Sequence, residues 1–232
     1  MLYLYIQPPP GSAYPVAAPS GLLAGQATRG PRVPTPSHEI APALAPPSNV
    51  RALLFDCDGT LLDTLGVYKE SWRVPFGQRG FDITDEWFYA RAGLAMDPFI
   101  LAALPHLDLA ELRQVEREGM DSFFEQLHSV ERFEHVVDVA RAFTGILPVA
   151  VVSAGRRDTV ERSLQAARIR ELFDFVITLD DVEHPKPAPD CYLLAVARLG
   201  LMPGEVLAYE DSDAGLAAAR AAGIGVIDVR GT

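Results

Sequence analysis

The sequence predicts a doubly wound α/β fold, a Rossmann-like parallel sheet core with an inserted helical cap domain. Three observations carry this. Short apolar runs alternate with helical patterns in the second half of the chain, most of the runs end in polar clusters, and the long stretch between the first two runs has helical spacing without an evident strand.

Ala52-Leu53-Leu54-Phe55 is continuously apolar, as a strand buried on both faces must be. Comparable runs occupy residues 148–152, 175–178, 206–209 and 224–229. Between the later runs, residues 158–167, 190–199 and 213–222 space their apolar side chains as helices do. Such alternation folds through right-handed crossovers into a parallel sheet. Residues 68–78, 84–92 and 109–127 also read as helices and build the insertion. The expected division is a core of residues 50–64 and 144–232 with a cap of residues 65–143.

A chain of 232 residues with 49% hydrophobic content can bury one large domain and a modest insertion. Its net charge of −11 opposes sequence-independent binding to nucleic acid, which depends on clustered Lys and Arg. A small anionic ligand needs only a local positive pocket. The two cysteines, Cys57 and Cys191, lack zinc-site spacing and are too few for a disulfide framework, which suits a reducing compartment. No run of about eighteen apolar residues is present, so no membrane partner is expected. Met1 to Ile6 is apolar but lacks the basic leader and length of a signal peptide, so the expected location is cytoplasmic. A monomer or weak dimer is the expected state.

Residues 1–49 hold eleven of the nineteen prolines and almost no charge. They are expected to form a disordered Pro-rich segment that the folded domain can do without.

In an open parallel sheet, reactive groups collect beyond the carboxyl ends of the strands. The first run ends in Asp56-Cys57-Asp58-Gly59-Thr60, and alternation can set Asp56 and Asp58 on one side. Two carboxylates that close repel unless a cation lies between them. The second run ends in Ser153-Ala154-Gly155, a hydroxyl and backbone N–H groups ahead of a helix, an arrangement suited to an anion. Lys186 stands between Pro185 and Pro187, and a later run ends in Glu210-Asp211. The set offers carboxylates to a hard cation, and a hydroxyl and a lysine to phosphate oxygens.

In this order, Asp56-x-Asp58-Gly59-Thr60, Ser153, Lys186 and Glu210-Asp211 resemble the four motifs of the haloacid dehalogenase superfamily, over residues 51–232. The helical insertion, the segment His184 to Asp190 and Glu210-Asp211-Ser212 resemble its beta-phosphoglucomutase-like branch. The ending Asp228-Val229-Arg230 is similar to that of fructose-1-phosphatase-like members. The resemblance implies a Mg2+-dependent phosphatase acting on a small phosphorylated metabolite, a sugar or polyol phosphate, through an aspartyl phosphate. It implies Asp56 as nucleophile, Asp58 as acid and base, and Ser153 and Lys186 as catalytic residues. Ser153, Ala154, Gly155 and Lys186 are then the phosphate binders, and Asp56, Asp58 (through its carbonyl), Glu210 and Asp211 the metal ligands.

Plainer readings apply to other residues. Asp63 is expected to cap a helix and Asp213 can do the same. Cys57 is expected to pack inward. Asp180 and Asp181 read as loop acids, and His106, His128, His135 and His184 as surface or loop positions. Trp72, Phe76, Trp87 and Phe88 read as cap core.

A dehalogenase needs neither Asp58 nor a metal cluster, and an inactive phosphate-binding module has no need of every carboxylate. A phosphomutase is the third rival. Counted from Asp56, the cap-side histidine of beta-phosphoglucomutases is replaced by Tyr68, which cannot change charge near neutral pH. Their cap arginine falls, without gaps, in residues 92–96, which hold no cation, although Arg91 is close by.

Overall fold

The computed structural model describes residues 40–91 and 94–232. From the first apolar run the chain passes through β1 (Ala52–Phe55), β2 (Leu62–Asp63), α1 (Leu65–Gly77), α2 (Asp85–Tyr89), α3 (Met96–Ala103) and α4 (Leu109–Gln126). It continues through β3 (Glu131–Arg132), α5 (Glu134–Phe143), β4 (Val149–Val152), α6 (Arg157–Ala166) and β5 (Phe175–Ile177). The last elements are α7 (Asp190–Leu199), β6 (Val206–Glu210), α8 (Asp213–Ala221) and β7 (Gly225–Asp228).

The five apolar runs form one parallel sheet in the order β5-β4-β1-β6-β7. Strand alternation divides β1 between two cores. Leu53 and Phe55 join a cluster with Val136, Val137 and Phe143 of α5 and with Val160 and Leu164 of α6. Ala52 and Leu54 pack on the opposite face with Tyr192 and Ala195 of α7 and with Ala218 and Ala219 of α8. Helices on both faces make the fold doubly wound and bury all four β1 residues. The helix ends follow local chemistry. Ser212 caps α8 by accepting from Gly215 N–H at 3.0 Å, and Gly200 ends α7 in the left-handed region at φ 64°.

The inserted helices have an aromatic core of their own, in which Trp72, Phe76, Phe88 and Phe99 are buried and Trp87 is partly so. Gly119 of α4 lies against the Trp72 ring, letting α1 and α4 approach closely. Two short strands, unforeseen in the sequence, join this unit to the sheet: β2 pairs antiparallel with β3, Leu62 opposite Arg132 and Asp63 opposite Glu131. Helix α5, which falls within the stretch expected to be cap, packs on the sheet instead.

A second correction concerns the N-terminal segment. Residues 1–39 lie outside the described residues, but within residues 40–50 Leu44 and Val50 are buried in the core and Ile40 packs partly against it. A short 3-10 turn at Pro42–Leu44 buries Leu44 completely, and Leu44 C=O accepts the Tyr209 hydroxyl at 2.8 Å. Proline fits here because the turn needs little backbone donation. Among the described residues no helix is long and apolar enough to cross a membrane.

Candidate active site

Asp56 follows β1 directly and continues its ladder, donating N–H to Tyr209 C=O at 3.0 Å. The chain then turns sharply: Leu61 and Leu62 both donate N–H to Cys57 C=O, and Gly59 adopts φ +88°. Glycine is required there twice over, because an added Cβ would also lie 2.2 Å from Asp211 Oδ2. Cys57 points into the core, as expected. Asp58 Oδ1 accepts from Thr64 Oγ1 at 2.6 Å, and Thr60 Oγ1 donates to Asp211 Oδ1 at 2.9 Å.

Lys186 crosses from the loop before α7 and is 6% exposed. All three ammonium protons have acceptors: Asp56 Oδ1 at 2.7 Å, Val152 C=O at 2.8 Å and Glu210 Oε1 at 2.5 Å. Glu210 is wholly buried and also takes the Tyr192 hydroxyl on Oε1 at 2.7 Å and Ser212 Oγ on Oε2 at 3.2 Å. Gly215 leaves room for that carboxylate, since a Cβ there would stand 2.0 Å from it.

Charge is unbalanced in this pocket. Burial pushes the Asp56 carboxyl well above its ordinary range; Lys186 pulls it back, while Glu210 and Asp211 push it further up. Burial likewise raises Asp58, against the opposing hydrogen bond from Thr64, and raises Asp211 against the bond from Thr60. Burial would lower Lys186, but Asp56, Tyr192 and Glu210 more than reverse it, so the ammonium stays charged. One lysine faces four carboxylates. Asp56, Glu210 and Asp211 each offer an oxygen, all within 4.8 Å of one another. An all-oxygen, net-negative donor set of this kind fits a hard divalent cation such as Mg2+.

Ser153 directly follows β4 and donates its N–H to Ile177 C=O at 2.9 Å. A Cβ on Gly155 would lie 3.3 Å from Ser153 Oγ and 3.6 Å from Asp58 Oδ2, so the ends of β1 and β4 converge on this glycine. One detail departs from expectation: Gly155 N–H is taken by Ser153 Oγ at 2.9 Å, leaving it no free donor for an anion. Ala154 is exposed and its N–H has no partner among the described residues.

Outside the cluster, several acids have structural roles. Asp63 is exposed in β2 and does not cap α1, whose N-cap is Thr64. Asp213 is the first residue of α8 rather than its cap, and pairs with Arg230 at 3.0 Å. Asp180 accepts Arg157 N–H at the start of α6, and Asp181 holds Thr178 and the Arg157 side chain. His184 bonds Asp190 at 2.9 Å and His128 bonds Glu125 C=O at 2.9 Å. Thr64 and Tyr192 were missed from sequence. The threonine follows the first motif closely enough to have been considered, whereas the tyrosine reads as one more core aromatic.

A parallel sheet with carboxylates at its strand ends and a buried lysine reaching them from a loop, beside an inserted helical unit, defines a capped α/β enzyme. The chain belongs to the haloacid dehalogenase-like hydrolases, whose family model matches residues 50–223. It is 35% identical to fructose-1-phosphate phosphatase YqaB of Escherichia coli K12, over 77% of this chain and 95% of that one. It is 30% identical to a phosphorylated carbohydrates phosphatase of Thermotoga maritima, over 75% and 82% of the two chains. The crystal structure of CbbY from Rhodobacter sphaeroides in complex with phosphate superposes with a TM-score of 0.65 at 27% identity, covering 76% of this chain and 84% of that one.

Proposed function

We propose that this enzyme is a Mg2+-dependent phosphatase that hydrolyses a sugar or polyol phosphate through a phosphorylated Asp56. The observation that carries the reading is the asymmetry of Asp56. Its Oδ1 is tied to Lys186 at 2.7 Å, while Oδ2 has no hydrogen-bond partner among the described residues and is free to attack.

Asp56 attacks phosphorus in line, the bond from phosphorus to the ester oxygen breaks, and Asp58 delivers a proton to the departing alkoxide. Burial, which raises Asp58, favours the protonated form this step needs. Water then attacks the aspartyl phosphate, Asp58 takes its proton, and phosphate leaves with Asp56 regenerated. Asp56, Asp211, Glu210 and the Asp58 carbonyl would hold the cation, which when bound offsets repulsion between carboxylate and phosphate. The Ser153 hydroxyl binds an equatorial oxygen, Lys186 binds another by exchanging one of its three present acceptors for the incoming phosphate, and Ala154 N–H is the backbone donor still available.

The substrate class rests on the relatives named for fructose 1-phosphate and phosphorylated carbohydrates. The cap of this reading is α1 to α4, residues 65–130, with the remainder of 50–232 as core. Release to water rather than transfer to a second position is supported at Arg91. Its guanidinium lies over the Trp87 ring at 4.8 Å and donates to Trp87 C=O, so it is engaged within the cap. Ala92 and Gly93, part of the stretch compared with the mutase clamp, lie outside the described residues. Two buried free cysteines suit a reducing, cytoplasmic setting, and we take the protein as a monomer or weak dimer.

The test is phosphate release with Mg2+ from a panel of sugar phosphates, polyol phosphates and phosphoglycolate. Turnover of a sugar or polyol phosphate, reduced about a thousand-fold or more by Asp56→Asn, is expected. Wild-type rates in Asp56→Asn, or full activity after exhaustive chelation, overturn the mechanism. With beta-glucose 1-phosphate and a trace of the bisphosphate, glucose 6-phosphate forming faster than free phosphate overturns the hydrolase reading.

A further inference from the structure

The two carboxylate oxygens of buried Glu210 are held unequally. Oε1 accepts both Lys186 Nζ at 2.5 Å and the Tyr192 hydroxyl at 2.7 Å, whereas Oε2 has only the longer Ser212 contact at 3.2 Å. A carboxylate oxygen offers about two lone-pair sites. Oε1 is therefore filled, and Oε2 is the oxygen left to face a cation.

We propose that Tyr192, a residue of α7 outside the carboxylate set, is a positioning residue that fixes the rotation of Glu210 and so presents Oε2 to the divalent cation. The proposal rests on the cation reading given above. Packing alone does not account for a tyrosine here, since phenylalanine would fill the same place among the apolar side chains between α7, α8 and the sheet. A buried hydroxyl is costly unless bonded, and this one is bonded to a metal-site carboxylate. The ring also sits 5.2 Å from Lys186 Nζ, so one side chain braces both partners of the buried ion pair. Groups that orient metal ligands in this way typically contribute ten- to a hundred-fold to affinity.

Tyr209 supplies a matched control. It is equally buried and directly precedes Glu210, but its hydroxyl goes to Leu44 C=O.

The experiment is Mn2+ titration of the full chain, read from the electron paramagnetic resonance signal of free Mn2+, alongside Tm without cation. Tyr192→Phe is expected to raise Kd about ten-fold, while Tyr209→Phe leaves Kd unchanged. In a Glu210→Gln background, Tyr192→Phe should add nothing further. A purely packing role for Tyr192 would lower Tm and leave Kd alone. Wild-type Kd in Tyr192→Phe, or equal weakening by Tyr209→Phe, overturns the proposal. If wild type and Asp211→Asn bind Mn2+ equally, the carboxylate cluster is not the cation site, and the underlying reading fails along with the inference.

Discussion

Thr64 Oγ1 donates to Asp58 Oδ1 at 2.6 Å, tying the proposed acid to the N-cap of α1, the first helix of the cap. Thr64 is buried and held in place, whereas Asp58 is partly exposed towards the site. A hydrogen bond to a protonated carboxyl group is worth about 0.5–1.5 kcal/mol. Thr64→Val keeps the side-chain volume and removes the donor, which leaves Asp58 free to rotate. The expected result is a fall in kcat of roughly ten-fold with Mn2+ affinity unchanged, measured by phosphate release and by Mn2+ titration. A wild-type kcat would show that the bond does not orient Asp58 for catalysis.

The second prediction concerns Leu44. Its side chain is fully buried and its carbonyl satisfies the Tyr209 hydroxyl, while the Tyr209 ring stacks on Phe55 with centroids 4.6 Å apart. Leu44→Ala is expected to cost roughly 3 kcal/mol, lowering Tm by about 6–12 °C in a domain of this size. A protein starting at Val50 should lose at least as much, and one starting at Ile40 should keep Leu44 and its contacts. Equal melting temperatures for the last two would refute the packing role of this turn.

Leu44 also marks where the sequence was hard to read. A lone leucine among prolines carries no period of either 2 or 3.6, and its burial depends on the Phe55–Tyr209 stack, which is remote in sequence. Strands β1, β4, β5 and β6 were legible because strands buried on both faces must be continuously apolar, and the half-buried edge strand β7 kept enough of that pattern in Val226 and Ile227 to be read with them. Strands β2 and β3 were not, since Leu62-Asp63 and Glu131-Arg132 are two residues each and three of the four are charged. The amphipathic helix α5 has the same pattern whether it faces cap or sheet, so spacing could not assign it. At the site, ordered motifs pointed to Asp56, Lys186, Glu210 and Asp211, which the fold brings together. The hydrogen bond that occupies Gly155 N–H depends on local geometry that residue identity leaves open.

The third prediction is a pH effect between the cap helices. Arg79, just beyond α1, makes a two-pronged bond to Glu118 of α4 at 2.7 and 3.2 Å. The Arg79 hydrogen bonds hold the Glu118 carboxyl below its usual value. A carboxylate depressed on folding stabilises above its unfolded pKa and loses that contribution as pH falls through the folded value. The pair is partly exposed, so solvent screening limits it to about 0.5 kcal/mol. Glu118→Gln should therefore melt slightly below wild type at pH 7, with the gap closing as pH falls below about 4. A gap that widened in acid would reverse the assigned sign.

The last prediction decides between two opposing effects at Gly119. In mid-helix, Gly→Ala normally stabilises by about 1 kcal/mol through backbone entropy. Here the new Cβ would stand 2.1 Å from Trp72 Cζ3 and 2.4 Å from two further ring carbons. The indole cannot simply retreat, because Trp72 is 2% exposed and its ring is flanked by Phe76 and Phe99, each with centroids 5.5 Å away. Overpacking of a fixed aromatic costs roughly 1–3 kcal/mol, which exceeds the propensity gain, so Gly119→Ala should destabilise the cap overall. Trp72→Leu alone should also destabilise by leaving a cavity. The double variant should lose less than the sum of the two, because each change relieves the other at one contact. Thermal melts of the four proteins measure this coupling. A stabilised Gly119→Ala, or strictly additive losses, would mean that α1 and α4 do not meet at this glycine.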